Sequence, residues 1–340
     1  MVFSGFADVN IWMGVGFLLA ALAVVGNDSL QTLGTYLSSN SHRTPKGLQM
    51  LFICALTSVV LMLGWHLNGG DPAWGRLAVP GRDFPLPEPF SWVYLLPPIA
   101  VLVLTQWGAP VSTSFLLLAS FQPASSGQLL ISSLSGYVLA FCIGLAAYGI
   151  APWALERWQL PRRQQPPQAS GLWAVLQLCS TALLWSLWLV QDLANIFVFL
   201  PRRLELLPML LSTLVLCLGL CGLVIRGGGP LQAVLRSKTK AMDLRSATLI
   251  DLWFGVCLLF KGVLSRFPLS TTWVFLGLLA GRELALRLRD QGWDGTFSLQ
   301  GPGSLAMVVG HDVWKASVGV GVSLLIAVGT QALVNGTHGP

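Results

Sequence analysis

Charge is what this sequence has least of. Asp, Glu, Lys and Arg together make up 10% of its 340 residues, against roughly a quarter in an ordinary soluble domain. With 54% hydrophobic residues and a mean hydropathy of +0.68, that deficit excludes a water-soluble globular domain. Catalytic patterns are missing as well. There is no phosphate-binding glycine loop, nucleophile elbow or zinc spacing, and His42, His66, His311 and His338 stand apart without ligand spacing. No enzyme, no cofactor and no metal site are expected. The first apolar run has no basic stretch before it and leads into an acidic motif rather than a small-residue cleavage site, so it reads as a retained helix. The net charge of +6 does not point to nucleic acid, because the basic residues lie in short loops between apolar runs. Cys54, Cys142, Cys179, Cys217, Cys221 and Cys257 all sit in or beside apolar segments and read as packing residues.

What is present is a series of apolar runs, several long enough for the roughly 20 helical residues that cross a bilayer. The order predicts a helix over 9–37, interrupted or ended by a polar stretch from Gly26 to Thr35, then a helix over 47–67. A Gly- and Pro-rich loop, 68–89, should be ordered but non-helical. The run 90–107 breaks at Gly108-Ala109-Pro110 and resumes as a short run to Gln122, too short to span. Proline removes a backbone donor and disfavours helix just before it, so this segment reads as a re-entrant helical hairpin. A span over 128–153 and a polar linker, 154–170, follow.

The second half repeats that order: a span from Gly171, a span over 206–225, a run from Ala247 broken at Arg266-Phe267-Pro268, a half-length helix ending near Arg282, and a span over 313–334. The expected fold is an all-α polytopic membrane protein with two inverted repeats, each of three spanning helices and one re-entrant hairpin. The repeats are 1–153 and 171–340, and 154–170 is a cytoplasmic linker. Inversion follows because a hairpin that enters and leaves on one side gives each half an odd number of crossings. With both termini external, cytoplasmic segments hold Arg43, Lys46, Arg157, Arg162, Arg163, Arg226, Arg236, Lys238, Lys240, Arg245, Arg287 and Arg289. External segments hold only Arg76, Arg82, Arg202 and Arg203, as the positive-inside rule requires. A multi-pass protein of the plasma (inner) membrane is expected.

Two acid-bearing motifs correspond between the halves, Asn27-Asp28-x-x-Gln31 and Gln191-Asp192-x-x-Asn195. A carboxylate inside a membrane is costly unless it faces a cavity, an ion or a partner. Asp28 and Asp192, with the amides of Asn27, Gln31, Gln191 and Asn195, offer hard oxygens suited to sodium, and a carboxylate can alternatively carry a proton. After each proline break come hydroxyls: Ser112, Thr113 and Ser114, and Ser270, Thr271 and Thr272. At the start of a half-helix, free N–H groups and the positive dipole end favour an anion; ordinary capping by Ser and Thr is the plainer alternative. Lys261, Arg266 and Arg282 read as snorkelling or pairing at the cytoplasmic surface, with Glu283 as a neighbour, or alternatively as attracting an anion at the inner mouth, and Asp251 reads as a residue at a helix start.

Taken together, Gly26-Asn27-Asp28, Gln191-Asp192-Leu193-Ala194-Asn195, Gly108-Ala109-Pro110-Val111-Ser112-Thr113 and Pro268-Leu269-Ser270-Thr271-Thr272 resemble the paired signatures of the inorganic phosphate transporter (PiT) family, in the phosphate and sulfate permease superfamily. The chain resembles a divergent member: each acidic signature has one Asn replaced by Gln, Ser114 ends the first hairpin motif, and Trp273 follows the second. The resemblance implies uptake of inorganic phosphate coupled to sodium or protons, with the aspartates near the cation and the hairpin hydroxyls on the anion. It leaves room for a homodimer. Sulfate or another oxyanion is the alternative substrate; an anion channel and a non-transporting sensor are the rival functions.

Overall fold

The protein is described here from a computed structural model. It describes residues 9–79, 82–107, 111–150, 171–227, 244–263, 270–290, 314, 318 and 321–334. The linker 154–170, Pro110, Pro268, Arg266 and the start of the last expected span lie outside the described residues, as does the side chain of Lys261.

Among the described residues the chain is all-α apart from one two-residue-per-strand ribbon. Helix α1 spans Ile11–Ser39 and α2 spans Lys46–Leu67. Then come α3 (Leu96–Gln106), α4 (Thr113–Phe121) and α5 (Ser126–Leu145), the last extended by a wider turn over Ala146–Ile150. The second half holds α6 (Gly171–Phe197), α7 (Leu206–Ile225), α8 (Leu244–Cys257), α9 (Thr271–Asp290) and an apolar helix α10, Gly321–Val334. Among the described residues, five helical segments are long and apolar enough to cross a membrane: Ile11–Ser29, Lys46–Leu67, Pro123–Gly149, Gly171–Phe197 and Leu206–Ile225. The protein is an integral membrane protein. Its lipid-facing surface carries side chains such as Leu22, Leu51, Val138 and Leu218, all exposed, while the core is closed by fully buried Trp185, Trp188, Phe115 and Phe254.

Two expectations are corrected. The polar stretch from Gly26 to Thr35 neither interrupts nor ends α1, which runs unbroken through it to Ser39. Where no water competes for backbone groups, the intrahelical ladder is the best use of every N–H and C=O, and polar side chains alone do not break it. Thr32 even folds its hydroxyl back on the Asp28 carbonyl, at 3.1 Å. An Asn10 capping box starts the helix, with the Asn10 amide oxygen accepting from Trp12 N at 3.0 Å.

The helix after the second break is not half-length either: α9 has 20 residues and continues well beyond Arg282. Its length follows from its partner. Gly277, Gly281 and Ala285 of α9 are buried against Gly136, Ala140 and Gly144 of α5. A Cβ on Gly281 would sit 2.1 Å from the Phe141 carbonyl oxygen, and one on Gly277 would sit 2.3 Å from that of Tyr137. Small residues at four-residue spacing let two membrane helices approach backbone to backbone. Arg282 lies with its guanidinium 5.5 Å from the Tyr148 ring centroid, a cation–π contact rather than simple snorkelling.

The described residues of the segment 68–89 are non-helical, as expected. The segment forms β1 (Ala78–Val79) and β2 (Arg82–Asp83), paired antiparallel. Asp71 ties its start, accepting from Ala73 N at 2.7 Å and Gly75 N at 3.1 Å. Trp74, at φ +58°, turns its indole onto α2, where a Cβ on Gly64 would lie 2.3 Å from the indole nitrogen. The loop is fastened to the α6–α7 turn. Leu204 N donates to Gly70 O at 2.9 Å, and Arg202 donates to Phe84 O at 2.6 Å and Leu200 O at 2.8 Å. Burial pulls the Arg202 guanidinium down to about 10, partly offset by Asp71, and burial pushes the Asp71 carboxyl above its ordinary value.

Candidate functional site

Every acid, amide and hydroxyl residue singled out from the four motifs is buried, and hydrogen bonds join Asn27, Asp28, Gln31, Thr113, Ser114, Asp192, Asn195 and Thr272 into one network, whereas Gln191 bonds elsewhere. α1 and α6 contribute the carboxylates, and α4 and α9 begin beside them. Thr113, at the start of α4, donates its hydroxyl to Asp28 Oδ2. Its neighbour Ser114 donates to Asp192 Oδ1 at 3.1 Å. One short helix from the first half thus touches both acids through adjacent residues.

The amides complete the link. Asn27 Nδ2 donates to Asp28 Oδ1 at 2.6 Å and to the Val111 carbonyl at 2.8 Å. Asn195 Nδ2 donates to Ser114 Oγ at 2.9 Å and Asp192 Oδ1 at 3.0 Å. Gln191 Nε2 donates to the Leu258 carbonyl at 3.1 Å. Gln31, a methylene longer than Asn, reaches the second hairpin: its Nε2 donates to Thr272 Oγ1 at 3.1 Å. Thr272 in turn donates to Val111 O at 3.0 Å, so the two hairpin tips are joined.

The hydroxyls divide by role. Ser112 is the N-cap of α4, accepting from Phe115 N at 3.2 Å, and Ser270 accepts from Trp273 N at 3.4 Å. For these two, capping is what the geometry displays. Thr113, Ser114 and Thr272 instead bond across to other elements. Thr271, the first residue of α9, is buried, and its hydroxyl has no hydrogen-bond partner among the described residues. Trp273 packs edge-on to Tyr137, with ring centroids 6.1 Å apart.

A set of buried oxygens in and beside this cluster also has no hydrogen-bond partner among the described residues: Asp192 Oδ2, Asn195 Oδ1, Gln191 Oε1 and Gln31 Oε1. Buried acceptors are almost always satisfied. One carboxylate and three amide oxygens left over in one cluster make a donor set for a hard monovalent cation or for a bound proton. The first-turn N–H groups of α4 and α9 start at the same place, and helix N-termini suit an anion.

One buried polar cluster was not anticipated. Asp251 does not stand at a helix start. It lies within α8, fully buried, and accepts from Thr181 Oγ1 at 2.7 Å, from Gln177 Nε2 at 2.9 Å and from the Thr35 hydroxyl. Thr248 completes the group by donating to Gln177 Oε1 at 2.9 Å. The available signal was spacing: Thr35 lies two turns beyond Asp28 on α1, and Gln177, Thr181 and Asp192 share a flank of α6.

No family model matches the chain, and no curated protein matches it significantly. A solved structure entitled "The sodium-dependent phosphate transporter" does. It is 14% identical, aligns over 95% of this chain and 97% of its own, and superposes with a TM-score of 0.59. At that identity the likeness speaks for architecture: this chain has the fold of that transporter over nearly its whole length.

Proposed function

We propose that the protein is a secondary active transporter that takes up inorganic phosphate together with sodium, or with protons in its place. The reading rests on one observation above all. Asp192 Oδ2 and the amide oxygens of Asn195, Gln191 and Gln31 are buried and unsatisfied beside a second buried carboxylate, at a point where two helices begin. Such a place offers oxygens to a cation and N–H groups to an oxyanion. The sodium dependence and phosphate substrate named for the structural neighbour support the same pairing.

In this proposal Asp28, Asp192, Asn27, Gln31, Gln191 and Asn195 hold the cation. Thr113, Ser114, Thr271 and Thr272 face the anion, with Ser112 and Ser270 fixing the helix starts. The halves 1–153 and 171–340 are inverted about the site, the termini lie outside, and transport alternates access around the joined hairpin tips.

The test is a thermal-shift panel of phosphate, sulfate, bicarbonate and molybdate, each in sodium and in potassium, followed by uptake in proteoliposomes under a cation gradient. Stabilisation follows occupancy of the folded site. Phosphate should stabilise most, and only with sodium or at acid pH. Equal stabilisation by sulfate would defeat phosphate selectivity, and stabilisation without flux would make the protein a sensor.

A further inference from the structure

A hydroxyl has one hydrogen to donate and lone pairs that accept. In the central cluster those hydrogens have fixed destinations. An ionised carboxylate and a carbonyl oxygen can only accept, which sets the direction of each bond. Thr113 donates to Asp28 Oδ2, Ser114 donates to Asp192 Oδ1 at 3.1 Å, and Thr272 donates to the Val111 carbonyl at 3.0 Å.

The lone pairs of the first two hydroxyls are engaged as well. Asn195 Nδ2 donates to Ser114 Oγ at 2.9 Å and to Thr113 Oγ1 at 3.4 Å. The same amide nitrogen donates to Asp192 Oδ1 at 3.0 Å. The network therefore has a polarity, from amide N–H to hydroxyl and from hydroxyl O–H to carboxylate. An oxyanion that reaches Thr113 and Ser114 in this state meets oxygen lone pairs, while the hydrogens it needs point at two acids. Thr113 and Ser114 are each 2% exposed, so water screens that opposition little. A cation changes the destinations. Sodium seated on the carboxylate oxygens satisfies them in place of the hydroxyl hydrogens, and a proton on either acid turns that carboxyl into a donor toward its hydroxyl. In both cases the Thr113 and Ser114 hydrogens are released, and rotation about one C–O bond turns each toward an anion.

We infer that Thr113 and Ser114 are the coupling residues of the site: Asp28 and Asp192 hold their hydroxyl hydrogens until a cation binds, and only then do those hydrogens pass to the oxyanion. This rests on the transport reading above and gives it an order, cation before anion. Hydrogen bonds to an ionised acceptor are the strong kind, so the donors withheld are ones the anion would feel. Adjacency on the first turn of α4 serves the same end, because each acid governs one of two neighbouring donors.

The competing role is passive: the hydroxyls serve the anion equally in both states, and sodium favours phosphate by charge alone. The ratio of phosphate affinities with and without saturating sodium separates the two. It is measured by thermal shift on the full chain in detergent at alkaline pH, with potassium replacing sodium in one arm, for the wild type, Thr113→Val, Ser114→Ala and Thr113→Ser. By linkage the same ratio appears in the sodium half-saturation with and without phosphate, which reads it where phosphate alone binds too weakly. Hydrogens released by the cation predict that Thr113→Val and Ser114→Ala each lower the ratio roughly tenfold, the worth of one charge-assisted hydrogen bond, through loss of affinity in the sodium arm. Thr113→Ser keeps a hydroxyl and should keep the wild-type ratio. Equal loss of phosphate affinity in both arms, with the ratio unchanged, overturns the inference. If one of the two truncated variants melts early, the other carries the test. Phosphate uptake into proteoliposomes is measured alongside. A wild type stabilised by sodium and phosphate but without flux fails the transport reading alone, and the ratio still decides the coupling. A wild type that neither ion stabilises defeats both.

Discussion

Asp251 is the residue whose environment is most completely drawn. Three side chains from two helices donate to it, and it is fully buried. Asp251→Ala leaves these donors facing nothing, and each buried unsatisfied group costs about 1–3 kcal/mol. The variant should therefore lose several degrees of melting temperature in detergent micelles, and Asp251→Asn, which keeps one acceptor, should lose less. Asp28 behaves differently, because its neighbours bind it and a ligand is proposed to as well. Asp28→Asn should abolish the stabilisation that sodium gives while changing the melting temperature of the ligand-free protein by a smaller amount. Sodium-dependent stabilisation surviving in that variant would remove Asp28 from the cation site. Gln31→Asn shortens the side chain by one methylene and cannot keep the bond to Thr272, at 3.1 Å in the native chain. The expected cost is about 1 kcal/mol, read by thermal melting, along with a weaker tie between the hairpins.

Among the elements, the α5–α9 pair is the most exacting. The backbones touch where Gly277, Gly281 and Gly144 lack side chains, and a Cβ on Gly144 would be 2.5 Å from the Leu278 carbonyl. Gly281→Leu cannot be accommodated by a rotamer change, since the obstacle is backbone. It should reduce the yield of folded protein by gel filtration far more than Gly222→Leu in α7, where a Cβ meets nothing within 4 Å. The loop 68–89 makes a separate prediction in pH. Burial raises the Asp71 carboxyl, so between its unfolded value and that raised value the native state binds more protons than the unfolded one. Stability then falls as pH rises through that interval. Asp71→Asn should remove this slope from melting curves recorded on the acid side of neutrality, at the expense of the bond to Gly75.

Much of the whole molecule could be read from the chain before any coordinates. Helix order, the non-helical loop after α2 and the helical arms flanking both breaks follow from apolar run lengths and proline placement. Eight of the twelve motif residues join one hydrogen-bonded network, because carboxylates and amides inside a bilayer have few places to go except toward each other. What escaped has physical reasons. The continuity of α1 through Asn27 and Asp28 depends on the absence of competing water, which composition does not register. Asp251 resembled a helix-start residue because its partners Thr35 and Gln177 are remote in sequence, and Arg76, buried in the structure, resembled an ordinary external-loop cation because burial of a loop is a tertiary property. The length of α9 depended on glycines whose purpose is visible only against α5.

One consequence belongs to the unbroken course of α1 and α6. Because Asp28 lies deep within α1, and Asp192 more than a turn before the end of α6, the carbonyls of these two residues belong to the helical ladder, and neither residue has a loose backbone oxygen to offer an ion. Any ion held by them must be held by side chains, whose number and length are written directly in the genetic code. Ion preference in this protein is then editable one codon at a time: Gln31→Asn and Gln191→Asn each withdraw an oxygen by about 1.5 Å, the length of one carbon–carbon bond. A sodium-to-lithium competition series across those two variants and their combination would read selectivity as a ruler reads length, with the α1 and α6 backbones as its fixed edge.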